Sequence, residues 1–194
     1  MSKNRRTGAF PGVLTAVLAL LVPGGPVPAQ VGATPREPAD PWAQLKQLVG
    51  TWEGEIDGKL GKGKGVRRYE LILGDRFLLC RHRSVRLPQE KSREGDQHEE
   101  LGVFSFDSER KTIVYREFMI EGVVVRSPCQ TEGTKVVCTS EAVESGPGIR
   151  ARLTLEIADR YRFTEVYELA WPGRDLEHYF TNRWTRSPSP YDWR

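Results

Sequence analysis

The sequence predicts an all-β protein, built as a single antiparallel barrel of about ten strands with one short helix before it. Short runs rich in β-branched and aromatic residues recur along most of the chain, and Gly, Asp and Pro separate them. No segment after residue 50 keeps a helical period, so the helical crossovers that parallel strands need are missing. Antiparallel neighbours in one sheet leave two unpaired edges, and closure into a barrel removes both.

The helix is predicted for the segment WAQLKQLV, residues 42–49. Asp40 and Pro41 suit its N-cap and first turn, and its apolar residues fall on one helical face. The strands expected after it are, in chain order, TWEGEI, VRRYELIL, RFLLCRHRSV, ELGVFSF, TIVYREFM, VVVRSPC, KVVCTS, IRARLTLEI, RFTEVYEL and EHYFTNRW.

Turn sequences such as LGD, TEGT, SGPG and WPGRD separate these strands. The clearest alternation is in IRARLTLEI, where apolar residues alternate with Arg, Thr and Glu, so one face is predicted to be buried and the other to face water. About eight strands give a barrel that side chains can nearly fill, and ten strands should therefore leave a cavity.

The chain begins with the features of a secretory signal peptide. Three basic residues precede an apolar core, VLTAVLALLV, which at about ten residues is too short to span a bilayer. Val27 and Ala29 have the small side chains that a signal peptidase requires. Cleavage is predicted after Ala29, which would export a mature chain without a membrane span to the periplasm or the medium. An uncleaved N-terminal anchor is the alternative.

The remaining boundaries follow from composition. Residues 30–40 are rich in Pro, Gly and small polar residues and are predicted to be a flexible linker. Residues 41–186 contain the barrel domain, and residues 187–194 are predicted to be a disordered tail. The domain is large enough for one hydrophobic core; its oligomeric state is left open.

Loss of the leader would remove the excess positive charge. The whole chain has 29 Lys and Arg against 26 Asp and Glu, and the leader holds three of the basic residues and none of the acidic ones. A neutral mature chain lacks the basic surface that nucleic-acid binding needs. The basic run GKLGKGKGVRR is interpreted as a solvated loop entering a strand, with anion binding as the alternative; its glycines do not match a phosphate-binding loop.

Gly50 and Trp52 begin the first strand after the helix, and Arg183 lies on the last strand in TNRW. This pattern resembles the signature of the calycin barrels, the lipocalins and fatty-acid-binding proteins. The resemblance implies that Trp52 packs across the closed end of the barrel and that Arg183 lies over its indole. Both residues would then maintain the fold rather than bind a ligand.

Three longer segments, LVGTWEGE, LILGDRFLL and LGVFSFDSERKTIVYREF, resemble a bacterial secreted lipocalin-like family of uncharacterised function. The resemblance covers most of residues 41–186 and implies a fold but no chemistry. Asp75, inserted between Gly74 and Arg76, departs from the pattern and leaves the register of the third strand open.

Cys129 and Cys138 flank QTEGTKVV, which is predicted to be a hairpin. If the turn is centred between Gly133 and Thr134, the cysteines face each other and can form a disulfide, as expected in an exported protein. If the centre is one residue earlier, the bridge would be diagonal and strained. Cys80 is interpreted as a small buried apolar residue.

Catalytic patterns are weak. The three histidines are far apart in sequence and none is paired at metal-ligand spacing, so no metal site is predicted. The Gly-x-Ser-x-Gly elbow of serine hydrolases is missing. Glu53, Glu55, Glu165 and Glu168 could pair for acid–base work on a sugar, but charges on the wet faces of strands are the favoured interpretation. A binding protein, not an enzyme, is predicted.

The leading hypothesis is a barrel that binds a small, largely apolar ligand in its cavity, without a cofactor. The aromatic residues Tyr69, Tyr115, Phe163 and Tyr167 are predicted to point inward and to line that cavity. In the competing hypothesis, bulky side chains fill the interior, and the protein is a structural or partner-binding module.

A further alternative is haem b binding through His178. The last strand, LEHYFTNRW, resembles that of the nitrobindins, ten-stranded barrels that also open with Gly-Thr-Trp and hold haem iron by one His near the start of that strand. The resemblance implies that His178 would be the axial ligand. The loop GKLGKGKG lacks the Tyr-Pro pattern of that family, and His178 would point outward if Arg183 points inward, unless a bulge intervenes.

Overall fold

The structure, a computed structural model, describes residues 40–188. The predicted signal peptide, most of the predicted linker and residues 189–194 lie outside these residues. One helix and eleven strands follow in chain order: α1 (Ala43–Lys46), β1 (Gly50–Gly58), β2 (Gly61–Ile72), β3 (Phe77–Arg86), β4 (Asp96–Asp107), β5 (Thr112–Met119), β6 (Val124–Glu132), β7 (Lys135–Thr139), β8 (Ala142–Glu144), β9 (Arg150–Asp159), β10 (Arg162–Ala170) and β11 (Glu177–Arg186).

The strands form one closed antiparallel barrel, which confirms the predicted fold class. Each strand from β1 to β6 pairs with the next, β11 pairs with β1 and β10, and the β5–β6 pairing belongs to the same closed ring. β7 and β8 both pair with β6, at opposite ends of that strand, and so share one position. The barrel therefore has ten positions, although the chain forms eleven strands.

The β2–β3 connection accommodates Asp75 without loss of pairing. Leu73, Gly74 and Asp75 all have positive φ in this turn, and Ile72 pairs directly with Phe77 beyond it. The basic run predicted to be a loop lies mostly inside β2, which begins at Gly61.

The helix is shorter than the predicted range 42–49. Asp40 accepts a hydrogen bond from the Trp42 backbone N–H at 2.9 Å, so the chain enters the helix as expected. After Lys46 the carbonyls of the last turn are bound from elsewhere: Leu48 O accepts from Trp52 Nε1 at 2.7 Å. Among the described residues, no helix is long and apolar enough to span a membrane.

Helix α1 lies at one end of the barrel, and buried apolar side chains fill that end. Leu45 and Leu48 are buried beside Trp52, which contacts the edge of Phe163 at a centroid distance of 4.8 Å. The loops β1–β2, β3–β4, β5–β6 and β10–β11 lie at the opposite end. The two ends therefore differ, one being packed closed and the other formed by loops.

Cys129 and Cys138 form a disulfide between directly opposed positions of β6 and β7. The turn between these strands is Gly133 and Thr134, as in the first of the two predicted alternatives. Cys80 is free and fully buried.

Candidate ligand-binding cavity

A cavity of about 360 Å³ lies inside the barrel at the end opposite α1. Apolar side chains from many strands and loops form most of its wall: Leu60, Met119, Val123, Val125, Val143, Ile149, Ala151, Leu169, Trp171, Tyr179 and Phe180. Polar side chains also reach it, chiefly His82, Arg86, Asp96, His98, Glu100, Glu117, Glu121, Tyr167 and Asn182. The cavity thus combines an apolar wall with a group of polar side chains.

A buried network separates the cavity from the packed end of the barrel. Arg67 is 1% exposed, and its Nη1 donates to Glu165 Oε1 at 2.5 Å. Glu165 Oε2 accepts from Asn182 Nδ2 at 2.9 Å and from Trp184 Nε1 at 3.0 Å. Glu165 was expected on a wet face; it is instead buried and paired, because residue 165 shares the inner face of β10 with Phe163 and Tyr167.

The same guanidinium also reaches Glu100. Arg67 Nη2 lies 3.5 Å from Glu100 Oε2 and 3.0 Å from His82 Nδ1, and Tyr115 OH donates to Glu100 Oε1 at 2.7 Å. Burial opposes ionisation of Glu100, but Arg67 and the hydrogen bonds from His82 and Tyr115 outweigh it, so the pKa of Glu100 lies well below its ordinary value. Burial and the charge of Arg67 lower the pKa of His82. At neutral pH Glu100 is therefore a carboxylate and His82 is a neutral ring.

Glu117 is one of several polar groups at the cavity without a hydrogen-bond partner among the described residues. It is 3% exposed, and its carboxyl has no hydrogen-bond partner among the described residues. Burial, followed by the negative charge of Glu100, raises its pKa well above the ordinary value of 4.5. Asn182 Oδ1, also at the cavity, is buried without a partner. Glu117, Asn182 Oδ1 and Asp96 Oδ1 are thus available to a molecule inside the barrel.

His98, on β4, lies beside His82 and Glu100. The ring centroids of His82 and His98 are 5.8 Å apart, and one ligand atom from each of His82, His98 and Glu100 lies within 4.8 Å of the others. His98 Nδ1 is 2.9 Å from Glu121 Oε1. The spacing of these residues in the sequence does not reveal the cluster, because the pairing of β3 with β4 brings them together. Ser84 pairs with His98, and His82 pairs with Glu100.

Exposed apolar side chains stand on the loops around the open end. Leu60 follows β1, Leu87 follows β3, Ile120 follows β5 and Trp171 follows β10, and each is between 41% and 73% exposed. Leu60 and Trp171 also line the cavity. The entrance is therefore apolar on both its inner and outer sides.

The four predicted cavity aromatics all point into the barrel, but only Tyr167 lines the cavity. Tyr69 and Phe163 pack together near Trp52, with ring centroids of Tyr69 and Phe163 6.2 Å apart. Tyr115 stacks on Phe104 at 4.0 Å. Strand alternation gave the correct face, but the height of a residue along the barrel axis decides whether it fills the core or borders the cavity.

The arginine over Trp52 is Arg186, not the predicted Arg183. Arg183 is exposed on the outer face of β11, whereas Arg186 Cζ lies 4.2 Å from the Trp52 ring centroid. Arg186 also donates to Val49 O at 2.6 Å and to Gln47 O. Gly50 has φ +130°, and a Cβ there would collide with the Arg186 guanidinium. The Gly-x-Trp sequence thus makes room for an arginine that fastens the end of α1 to the barrel.

His178 lies on the outer face, which removes the basis for haem ligation from within the barrel. It is exposed, and its Nε2 is 2.8 Å from Thr181 Oγ1. Asn182 and Trp184 point into the barrel, so strict alternation along β11 would also point residue 178 inward. A β-bulge at Tyr179 reverses this, because Tyr167 pairs with Phe180 while Glu168 pairs with His178.

Sequence reasoning missed Arg67, Glu117 and the His82–His98 pair. Arg67 could have been found from parity, since it shares one face of β2 with Tyr69. Glu117 likewise shares a face with Tyr115 on β5. The run that contains Arg67 was interpreted as a solvated loop, and Glu117 was not considered, although the neighbours of both residues at i±2 are inward.

Comparison with solved structures gives the same architecture. The fold is similar to the crystal structure of Rv2717c from M. tuberculosis, with a TM-score of 0.54 and 14% sequence identity over 77% of this chain and 98% of that chain. The protein thus shares the antiparallel β-barrel fold of Rv2717c. Two designed proteins, a de novo fluorescence-activating β-barrel and a redesigned β-barrel, give TM-scores of 0.41 and 0.34, identities of 11% and 10%, and coverage of 73% and 74% of this chain and 95% of theirs.

No family model and no curated protein matches the sequence. The likeness of this barrel to Rv2717c, at 14% identity, shows a common fold and leaves the ligand unknown. Membership of the bacterial lipocalin-like family stays a prediction.

Proposed function

We propose that this protein binds a small, largely apolar molecule in the barrel cavity. The observation that carries the proposal is the cavity of about 360 Å³, whose wall is mainly apolar, in a barrel whose other end is tightly packed. Its volume lies within the range of about 300–1,000 Å³ that is common for small-molecule sites. A filled barrel would not leave this space.

The polar side chains of the cavity define one end of the ligand. Glu117, whose raised pKa favours the protonated carboxyl, and Asn182 Oδ1 have unused hydrogen-bonding capacity, and burying such groups without partners costs free energy. A ligand with an apolar body and a hydrogen-bonding end would pack against the apolar wall and would pair with these polar groups. Its polar end would contact Glu117, and its body would lie against Met119, Leu169 and Phe180.

The apolar entrance supports this function. Leu60 and Trp171 border the cavity, and Leu87 and Ile120 are exposed on neighbouring loops. Such side chains give an apolar molecule a path from another apolar surface into the barrel. We propose a binding role rather than an enzymatic one, since the polar cluster is held mainly by ion pairs and hydrogen bonds within the protein.

The proposal is tested by native mass spectrometry of the purified protein and by titration with the apolar fluorescent dye N-phenyl-1-naphthylamine. We expect one dye molecule per chain and displacement by any co-purifying molecule. Val143→Trp, which fills the cavity wall, should abolish binding, whereas Val137→Trp on the outer face of β7 should not. Absence of both dye uptake and a co-purifying molecule would favour the structural or partner-binding role.

We also propose that the protein is exported. The Cys129–Cys138 disulfide supports this, because disulfides persist in oxidising compartments. N-terminal sequencing of the protein from the periplasmic and extracellular fractions should find Gln30 as the first residue. Recovery of the intact N-terminus in the cytoplasm would contradict export.

A further inference from the structure

We propose that His82, His98 and Glu100 form a site for a divalent transition-metal ion, of which zinc is the best match, at the polar side of the cavity. One ligand atom from each of the three residues lies within 4.8 Å of the others. All three side chains line the cavity. Two imidazoles and one carboxylate are a ligand set that zinc uses in proteins.

Neighbouring groups orient the ligands as they would at a metal centre. His98 Nδ1 is 2.9 Å from Glu121 Oε1, an arrangement that fixes the ring and leaves Nε2 for a metal. Tyr115 OH holds Glu100 Oε1 at 2.7 Å and leaves Oε2 nearer to His82. A ligand histidine usually has such a carboxylate partner, whereas a surface histidine has no need of one.

His82 supplies the second observation that points to a ligand. It is 5% exposed, and its Nε2 is buried without a hydrogen-bond partner among the described residues. Its Nδ1 has Arg67 Nη2 at 3.0 Å and Glu100 Oε2 at 3.5 Å. A buried polar atom without a partner costs free energy; a ring rotation that turns Nε2 from Gly65 to the metal would remove that cost and would give up the contact of Nδ1 with Arg67.

The charges beside the site act on a cation in both directions: Arg67 Nη2, 3.0 Å from His82 Nδ1, repels it, and the carboxylate of Glu100 attracts it. Arg67 is the positive member of the network and lies between two carboxylates, those of Glu165 and Glu100. Its short contact is with Glu165, at 2.5 Å, whereas Glu100 is 3.5 Å away. Glu100 therefore keeps negative charge that a metal ion can offset.

Metal binding requires a small contraction of the cluster. Zinc bonds of about 2.0–2.2 Å place tetrahedral ligand atoms roughly 3.4 Å apart. A separation of 4.8 Å must therefore close by about 1.4 Å. The residues lie on adjacent strands, β3 and β4, and side-chain rotation alone can provide this. Three protein ligands leave one position for water or for a donor atom of a molecule bound in the cavity.

The test is isothermal titration of the chelator-treated mature protein with zinc chloride, without any organic ligand. We expect one ion per chain, and a dissociation constant raised at least tenfold by His98→Gln. His98 is only partly buried, so this variant should fold, which circular dichroism checks. His178→Gln on the outer face is the matched control and should bind as the wild type does.

A second readout uses Co²⁺, whose visible absorption reports its coordination. The wild type and His178→Gln should give the same spectrum, and His98→Gln should not. Absence of binding at one ion per chain, or equal binding by the His98 and His178 variants, would overturn the proposal. Dye binding is measured separately on metal-free protein, so failure of the metal site and failure of the proposed function are distinguishable.

Discussion

Replacement of Arg67 by Met should destabilise the protein strongly. Met retains much of the aliphatic length of Arg but removes the charge that Glu165 and Glu100 share. Glu165 would keep its hydrogen bonds from Asn182 and Trp184, and Glu100 would keep the one from Tyr115, but both carboxylates would remain buried without a cation.

Removing one partner of a buried ion pair costs about 3–5 kcal/mol. The contact of Arg67 with the Trp184 ring, at 5.0 Å, is also lost, although Met packing offsets part of it. We therefore expect Arg67→Met to lower the free energy of unfolding by about 3–5 kcal/mol in urea titrations followed by circular dichroism. Arg68→Met is the control; Arg68 is half-exposed in an ion pair with Glu70, so its loss should cost less than about 1 kcal/mol.

The difference in free energy of unfolding between Arg67→Met and the wild type should depend on pH. In the wild type the pKa of Glu100 is depressed, so its stabilising ionisation is present above the ordinary value of 4.5 and is lost as pH falls. Without Arg67 that benefit disappears, and the two proteins should converge in stability as pH drops below 4.5. Adding Glu165→Gln to Arg67→Met should restore part of the loss. An Arg67→Met variant within 1 kcal/mol of the wild type at pH 7 would refute the role of this network.

Three further predictions concern the cavity, the closed end and the disulfide. Because the pKa of Glu117 is raised, the folded state holds its proton as pH rises above 4.5 and loses stability; Glu117→Gln should therefore be more stable than the wild type at pH 7 and equal to it at pH 4, in urea titrations at both values. Gly50→Ala should lower the free energy of unfolding by about 1–3 kcal/mol, because Gly50 has positive φ and its Cβ would meet Arg186; an unchanged midpoint would contradict this. Reduction of the Cys129–Cys138 bridge should cost roughly 2–3 kcal/mol for so short a loop, measured by thermal unfolding with and without reductant, and three free thiols in the non-reduced purified protein would exclude the bridge.

The sequence predicted the barrel well because its strands are short, local and separated by clear turns. The β6–β7 hairpin is an example: the TEGT turn places Cys129 opposite Cys138, and this depends only on the turn's centre. The helix was predicted too long because side chains from the barrel strands bind the carbonyls that follow Lys46: Trp52 binds Leu48 O, and Arg186, distant in sequence, binds Gln47 O. Local patterns determine hairpins, whereas helix ends here are determined by tertiary contacts.

The candidate site was harder to predict because it depends on pairing between strands. His82 and His98 are neighbours only through the register of β3 and β4. Arg67 and Glu165 are charged residues at inward positions, and each is tolerated there only because the other is present. His178 shows the opposite error, since a single bulged residue, Tyr179, moves it to the outer face.

We propose that the barrel cavity holds a small apolar molecule with its polar end at Glu117. The most direct measurement is a crystal structure of the mature protein with N-phenyl-1-naphthylamine. The dye rings should lie against Met119, Leu169 and Phe180, with the amine within hydrogen-bond distance of the Glu117 carboxyl. A dye molecule bound only on the outer surface, with side chains closing the interior, would contradict it.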